Sequence, residues 1–267
     1  MENFLNWTAW IVEPPKAYGV FHILYTLIGF TFSWILAGKL KNIDEKKNKI
    51  LLFSVGMYLL LSEIYKQLFF YYVIGHKTPQ LWIMPFQLCS IPMYFCLMIP
   101  FMKNEKLKNS MYYFMSTFNL MGGFIAFFEP SGIFNSHLTI MIHSLLWHMI
   151  LVFLGFYLVR SKRTPSNFYE FTLAVKTFMV LTLIAFSLNI LLSKATNGGI
   201  NMFFIGPPIS PLIVFHDIAE KFGWYINAPI YIFAVCLGAF IFYYFFHHID
   251  EKHKIIDMAK NKLKKGV

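Results

Sequence analysis

The chain contains 267 residues, of which 57% are hydrophobic, 19% are aromatic and only 13% are charged. This composition excludes an ordinary soluble domain and favours a protein whose solvent is the lipid bilayer. The formal net charge of +10 is compatible with nucleic-acid binding, but the basic residues lie in short segments between apolar runs, as membrane topology requires, so we expect no nucleic-acid partner.

Apolar runs of about 20 residues recur along the chain, and each is long enough to cross a hydrocarbon core roughly 30 Å thick. The N-terminal segment lacks the basic region and the cleavage site of a signal peptide, so the first run is expected to remain as a helix. The sequence predicts an all-α membrane protein, a bundle of about seven transmembrane helices. The predicted spans are 20–39, 50–74, 82–101, 110–128, 137–159, 173–193 and 224–247.

The connecting segments alternate between rich and poor in lysine and arginine. The rich set, 39–49, 102–109, 160–172 and the tail after Asp250, holds 17 basic residues, and the poor set, 1–19, 75–81, 129–136 and 194–223, holds 4. The positive-inside rule then predicts an N-terminus outside and a C-terminus in the cytoplasm. The basic set is 21 Lys and only 2 Arg, a bias typical of AT-rich genomes, so we expect the multi-pass protein in a bacterial plasma membrane.

No hydrophilic insertion is large enough to fold as a separate domain. The sequence therefore predicts one transmembrane helical domain over 1–250 and a basic cytoplasmic tail over 251–267. Lysines in the tail alternate with apolar residues such as Ile255 and Leu263. That pattern indicates either a basic helix on the membrane surface or only a determinant of topology.

The second span carries two ionisable residues, Glu63 and Lys66. Charged groups inside a bilayer are costly and are candidates for function by default. Because residues three apart share a helix face, the two can also neutralise each other as a structural ion pair.

The third span carries Cys89, about two turns below its outer end, and Pro92 close by. Proline has no amide hydrogen, so Pro92 should leave the carbonyl of Leu88 without its helical partner and kink the helix beside the thiol. Cys89 is either a reactive thiol or a small buried hydrophobe. Cys96 and Cys236 are interpreted as hydrophobes, and no disulfide framework is implied.

The fifth span carries His143 near the depth of Cys89, and His148 below it. Five residues at 100° each place these two side chains about 140° apart, so at most one should face Cys89. Asn189 has the same depth as Cys89, whereas Asn119 lies nearer the middle of the bilayer.

The longest outer segment, 194–223, contains the string Pro207-Pro208-Ile209-Ser210-Pro211 and cannot be one continuous helix. Its apolar residues, including Phe203 and Phe204, indicate a lid or re-entrant segment that folds back onto the bundle. A plain interfacial loop is the alternative.

A thiol, an imidazole and carboxamides at one depth are what acyl transfer through a thioester requires. In this hypothesis His143 takes the thiol proton, Cys89 attacks an ester carbonyl, and Gln87 or Asn189 donates to the oxyanion. The further candidates for substrate binding are Asn201, Glu63, Lys66 and His148.

Three short motifs resemble the YwaF-like integral membrane proteins of bacteria. They are Leu88-Cys89, His143, and the stretch Asn201-Met202-Phe203-Phe204 that leads through Pro207-Pro208 and Pro211 to Gly223-Trp224-Tyr225. That family is similar to an animal transmembrane acyltransferase that loads acyl chains onto ether lysophospholipids. The resemblance implies Cys89 and His143 as the acyl-transfer pair. The family usually has His two residues before the cysteine, where this chain has Gln87.

Two functions of different classes follow from these patterns. The first is a lipid acyltransferase or acyl hydrolase acting in the outer leaflet half on membrane phospholipids or lysophospholipids, without cofactor or metal. The second is a non-catalytic transporter or lipid-binding protein that uses the intramembrane Glu, Lys and His residues, and a membrane scaffold is a third. His247, His248 and His253 cluster at the inner interface but lack partners at metal-ligand spacing. The sequence leaves open whether the chain forms homo-oligomers.

Overall fold

The computed structural model of the chain describes the backbone of residues 1–265 and the side chains of residues 1–247. Within that part the fold is helical and contains no β-strand. One isolated antiparallel bridge joins Ile11 to His137. The helices are α1 Glu2–Trp7, α2 Val20–Leu40, α3 Glu45–Phe69, α4 Ile91–Met98, α5 Glu105–Phe114, α6 Leu120–Phe128, α7 Leu138–Arg160, α8 Phe168–Leu191, α9 Ile213–Phe222 and α10 Trp224–Lys265.

Four helices in the described part of the chain are long and apolar enough to cross a membrane. They are α2, α7, α8 and the portion Trp224–His247 of α10. The predicted all-α fold is thereby confirmed, and the described part of the chain has several apolar helices of membrane-spanning length.

Two other predicted spans contain π turns. Helix α3 continues as the π turn Phe70–Ile74, and the π turn Met115–Asn119 joins α5 to α6. The regions 45–74 and 105–128 are therefore each continuous helical rods, close to the predicted 50–74 and 110–128. A π turn inserts an extra residue into the helical ladder and is frequent at functional sites.

The third predicted span is shorter than its sequence indicates. Short 3₁₀ turns occupy Leu81–Ile83 and Leu88–Ser90, and regular α-helix begins only at Ile91. Pro92 lies in the first turn of α4, where a missing amide costs nothing. The predicted kink beside Cys89 is thus wrong, because the proline starts the helix instead of interrupting it.

At the other end of the chain, α10 runs without a break from Trp224 to Lys265. The segment predicted as a separate tail is backbone-continuous with the last span as far as Lys265. The side chains that would make its basic face lie outside the described residues, as do those of His248 and His253.

Helix α7 is the centre of the bundle, since every residue from Leu151 to Val159 is buried. The helices around it expose large apolar side chains on their outer faces, including Leu27 of α2, Leu183 of α8 and Phe233 of α10. Helices that are apolar on their outer faces are typical of spans in contact with lipid.

Residues 200–210, here called the plug, fold into the bundle between α8 and α10. Ile200, Met202, Phe203, Ile205 and Ser210 are all buried. The ring of Phe203 stacks on Phe86 at 5.9 Å and on Phe178 at 6.1 Å. Of the two expectations for this stretch, the segment that folds back onto the bundle is the one observed.

Candidate functional site

The plug backbone makes two long hydrogen bonds within itself, from the Phe204 amide to the Asn201 carbonyl at 3.3 Å and from the Ile205 amide to the Met202 carbonyl at 3.5 Å. Phe203 and Phe204 have positive φ angles of 55° and 56°, a conformation that bulky L residues adopt only when their surroundings impose it. Peptide groups in such a turn need partners from elsewhere in the protein.

Three carboxamides provide those partners. Gln87 donates from Nε2 to the Asn201 carbonyl at 2.9 Å and accepts at Oε1 from the Phe203 amide at 2.9 Å. Asn189 donates to the Met202 carbonyl at 3.0 Å and accepts from the Met202 amide at 2.6 Å. Each side chain therefore bonds the plug through both its nitrogen and its oxygen.

The third carboxamide belongs to the plug itself. Asn201 donates from Nδ2 to the Pro208 carbonyl at 2.9 Å and accepts at Oδ1 from the Gly206 amide at 2.8 Å. Gln87, Asn189 and Asn201, which we expected to contact a substrate or an oxyanion, lie together and are engaged with the backbone of residues 201–208.

Cys89 sits on the 3₁₀ turn that leads into α4. Its carbonyl accepts a hydrogen bond from the indole Nε1 of Trp147 at 2.8 Å. The neighbouring carbonyl of Leu88 accepts from the Ile91 amide and also from Nδ2 of Asn119 at 3.1 Å. The backbone on both sides of the thiol is thus held by side chains of two other helical segments.

Cys89 lines a cavity of about 470 Å³, a size typical of small-molecule and cofactor sites. Most of its wall is apolar and comes from α6, the plug and α10, including Met121, Phe204 and Val235. Two of the lining residues, Ile125 of α6 and Ile241 of α10, are 45% and 51% exposed. The cavity therefore reaches the outer surface of the bundle at these two helices.

A few polar groups interrupt this apolar wall. Those lining the cavity are Gln87, Cys89, Asn119, Glu129, Ser131, His148 and Tyr231. An apolar cavity with a few polar groups suits an amphipathic ligand with a long hydrocarbon part.

The two histidines of α7 occupy different places. His143 is buried, its Nδ1 lies 2.6 Å from the Ser62 hydroxyl, and its ring packs on Trp147 at 5.2 Å. His148 lines the same cavity as Cys89. Among the described side chains, no hydrogen bond joins the Cys89 thiol to either imidazole. The two histidines point in different directions, as expected, and of the two only His148 lines the cavity.

The tautomer of His148 follows from its partner. Its Nδ1 lies 2.8 Å from the Ser144 carbonyl. A carbonyl can only accept, so Nδ1 carries the hydrogen and Nε2 keeps a lone pair. Nε2 is therefore a hydrogen-bond acceptor and a potential base.

The ion pair predicted in the second span is formed. Lys66 Nζ lies 2.8 Å from Glu63 Oε2, and Glu63 is only 2% exposed. Gln67 donates to Glu63 Oε1 at 2.7 Å and to the Ile83 carbonyl at 2.8 Å. This network ties α3 to the segment that precedes Cys89.

The inner end of the bundle offers a different set of groups. His247 is buried and its ring stacks on Tyr113 at 5.8 Å. Within the described side chains, no group of three or more His, Cys, Asp or Glu residues could hold a metal ion.

Comparison with known proteins gives one match. The model of the TMEM164 family matches residues 17–247, which include the plug, Cys89, both α7 histidines and the cavity. Neither the curated proteins nor the solved structures contain a match to this chain.

Proposed function

The chain belongs to the TMEM164 family of transmembrane proteins, and from this premise we propose that it is a membrane-embedded lipid acyltransferase or acyl hydrolase. The observation that carries the proposal is the position of Cys89, which lines a mostly apolar cavity together with His148. The resemblance of its Cys89, His143 and plug motifs to YwaF-like proteins, and through them to an ether-lysophospholipid acyltransferase, supports acyl transfer as the chemistry.

In the proposed mechanism Cys89 attacks the carbonyl of a lipid ester. The carbon–oxygen bond breaks, the acyl chain passes to sulfur as a thioester, and the lipid alcohol leaves with the thiol proton. Water or a second lipid alcohol then takes the acyl chain. The acyl chain would lie along Met121, Ile125 and Val235.

We propose the seven-span topology with the N-terminus outside for the same protein. The helical rods 45–74 and 105–128 and the shorter segment Leu88–Phe101 supply the three spans beyond the four long apolar helices. In this topology, which the alternation of basic residues supports, Cys89 would lie in the outer leaflet half of the membrane. Phospholipids or lysophospholipids of a bacterial plasma membrane are the proposed partners.

Intact-mass spectrometry of the purified protein after incubation with phospholipid vesicles tests the chemistry. We expect a covalent mass increase of one acyl chain that neutral hydroxylamine removes, because hydroxylamine cleaves thioesters. Phospholipid that merely co-purifies, with no covalent adduct, would overturn the acyl-transfer proposal.

The base that accepts the thiol proton is proposed to be on α7. His148 is favoured because it shares the cavity with Cys89. His143, the partner implied by the resemblance, is the second candidate because it packs on Trp147, whose indole bonds the Cys89 carbonyl. In that position His143 would act as a positioning residue.

Replacing each histidine with glutamine separates these roles. We expect His148→Gln to slow thioester formation by about 100-fold, the lower end of general-base effects. We expect His143→Gln to slow it only about 5-fold, the equivalent of one ordinary hydrogen bond. Rates of adduct formation measured by quenched mass spectrometry decide the point, and the reverse order would assign the base to His143.

A bulky side chain at Gly122 should restrict the acyl chain. Gly122 lines the cavity, and a Cβ atom added there meets no atom within 4 Å. We expect the ring in Gly122→Phe to exclude part of a long chain sterically, at about 1–3 kcal/mol of overpacking, which weakens long-chain binding on the order of 10-fold. Competition between lipids of short and long chains measures the effect, with Gly122→Ala as the matched control that should retain the wild-type preference. An unchanged preference in Gly122→Phe would place the chain elsewhere.

Lipid binding without chemistry is the second candidate, and the mostly apolar cavity wall favours it. A transport path through the bundle has less support, since the inner-half polar residue Asn48 is bonded to the hydroxyls of Tyr112 and Tyr157 and the Glu63–Lys66 pair is closed. The covalent adduct distinguishes the enzyme from both alternatives.

A further inference from the structure

The chain has only two arginines, Arg160 and Arg163, and both lie at the inner end of α7. Arg163 is engaged within the protein, since its guanidinium lies 3.7 Å from the Glu45 carboxylate and donates to the Ile43 carbonyl at 3.3 Å. Arg160 forms no ion pair with any described side chain. Its charge is therefore available to a group outside the chain.

Three contacts with α2 hold the Arg160 guanidinium. Its central carbon lies 4.4 Å from the centroid of the Trp34 ring, a favourable place for a cation, and Nη1 donates to the Trp34 carbonyl at 2.8 Å. Gly38 provides the space, because a Cβ atom there would lie 2.7 to 2.9 Å from three guanidinium atoms. Helix α2 thus holds this group in one orientation, on the face of an indole.

Helix capping does not account for this arrangement. The last four carbonyls of an α-helix lack partners, and in α2 these belong to residues 37–40. Trp34 precedes them, so the helix itself supplies the partner of its carbonyl. A cation at the end of α7 is stabilised by the helix dipole, but the dipole does not explain why Arg160 reaches across to the Trp34 ring.

The remaining donors of Arg160 suit a phosphate. A guanidinium has five N–H donors in a planar fork, and among the described residues only Nη1 has an acceptor. Nε and Nη2 are not buried, so both can reach a ligand. A planar fork with parallel donors matches the oxygens of a phosphate, which it binds through two hydrogen bonds at once.

Three exposed lysines add positive charge here, two of them after Gly38 at the end of α2 and one after Arg160. None has an ion pair with a described side chain. They are Lys39, Lys41 and Lys162. The carboxylates at the start of α3, Asp44 and Glu45, pair with other cations. The cluster therefore favours a ligand with net negative charge.

The apolar surroundings indicate where that phosphate comes from. Trp34 and Ile35 are 36% and 50% exposed on α2, a helix long and apolar enough to cross a membrane. Apolar side chains beside a basic cluster at a helix end match a phospholipid, whose acyl chains and headgroup lie at these two levels. Basic sites between transmembrane helices bind anionic headgroups in this way.

We infer that Arg160, held on Trp34, binds the phosphate of an anionic phospholipid at the inner end of α2 and α7. Neither residue lines the cavity that contains Cys89. In the proposed topology the two sites belong to opposite leaflets. The lipid bound at Arg160 is a partner of the fold, so this inference goes beyond the proposed acyl transfer and does not depend on it.

Lipid titration followed by native mass spectrometry of the purified full-length protein tests the site. The probes are dioleoyl phosphatidylglycerol, which has net negative charge, dioleoyl phosphatidylcholine, which has the same chains and phosphate but no net charge, and glycerophosphoglycerol, which is the first headgroup without acyl chains. We expect the first phosphatidylglycerol to bind about 10-fold more tightly than phosphatidylcholine. Equimolar glycerophosphoglycerol should not displace it.

Two variants test the position of the guanidinium. Arg160→Gln removes its charge and its fork of donors, whereas Gly38→Ala keeps every charge and displaces the guanidinium from Trp34. Lys103→Gln removes one charge from another exposed position at the inner end and is the matched control. We expect the preference to fall to about 2-fold in both variants and to stay near 10-fold in the control.

Equal affinities of the wild-type protein for the two phospholipids would overturn the site without any variant being needed. A preference that persists in Gly38→Ala and in Arg160→Gln would overturn the role of Arg160, and if Arg160→Gln does not fold, Gly38→Ala decides the point. An equal loss in the control would reduce the effect to overall charge, and displacement by glycerophosphoglycerol would overturn the lipid as the ligand. None of these results depends on the covalent adduct that tests the proposed function.

Discussion

A Cys89→Ser variant is expected to lose the hydroxylamine-sensitive adduct and to slow acyl transfer by at least about 10³-fold. Removal of a nucleophile from a catalytic group that acts as a unit has effects of this order or larger. A serine hydroxyl is a much weaker nucleophile than a thiolate unless a base is already aligned with it. Any ester formed on serine would also survive neutral hydroxylamine. The hydroxylamine-sensitive adduct and acyl transfer should therefore both be lost in this variant.

The other two cysteines are matched controls for this experiment. Cys96 is buried with its sulfur 3.9 Å from the Met115 sulfur, and Cys236 is partly buried on α10. Neither borders the cavity. Cys96→Ala and Cys236→Ala should therefore retain the adduct, and an adduct that persists in Cys89→Ser while disappearing in a control would contradict the assignment of the nucleophile.

Much of the helical architecture could be predicted because it depends on local properties. The apolar runs that became α2, α7 and α8 are long enough to cross a bilayer, and their lengths are visible in the sequence alone. The start of α4 was not predicted correctly, since Pro92 is compatible both with a kink inside a helix and with the first turn of one. The choice depends on residues before it, where Pro85 and the extended stretch to Gln87 keep the helix from starting earlier.

The candidate site was predictable in its residue types and not in its contacts. Gln87 bonds residues more than a hundred positions away in the chain, and such pairing depends on tertiary structure. His143 and His148 are the same residue type on one helix, so only the surroundings of α7 decide which one meets the cavity.

Asn119 was noticed only as a polar residue near the middle of a span. In the structure its Nδ2 donates to the Leu88 carbonyl, which also accepts from the Ile91 amide. What could not be foreseen was the π turn that ends at Asn119, beside that carbonyl.

The carboxamides that hold the plug explain why polar residues at one depth need not all be catalytic. Phe204 belongs to the left-handed turn that they stabilise, and it also lines the cavity. The carboxamide side chains therefore affect the site indirectly, by holding the plug backbone that forms part of the cavity wall. On this view Gln87 contributes to the shape of the cavity, and proton transfer in the proposed mechanism belongs to α7.

The stability of the plug provides the second large expected effect. Asn189 is buried and bonds both the amide and the carbonyl of Met202, with the shorter bond at 2.6 Å. Asn189→Leu would leave the buried Met202 amide without a partner and the Met202 carbonyl with only the 3.5 Å bond from the Ile205 amide. We therefore expect this variant to lose roughly 1–3 kcal/mol of unfolding free energy, measured by denaturant titration in detergent micelles.

Ser187→Ala is the matched control, since Ser187 lies one half-turn earlier on α8, is exposed and bonds only the carbonyl of Leu183 in its own helix. It should change the unfolding free energy by less than about 0.5 kcal/mol. Limited proteolysis locates the damage, because a released plug should be cut within residues 200–210 while the helices stay protected. If Asn189→Leu unfolds like the control and the plug stays protected, the carboxamides do not hold it, and the cavity wall near Phe204 must be stabilised by the stacking of Phe203 between Phe86 and Phe178 instead.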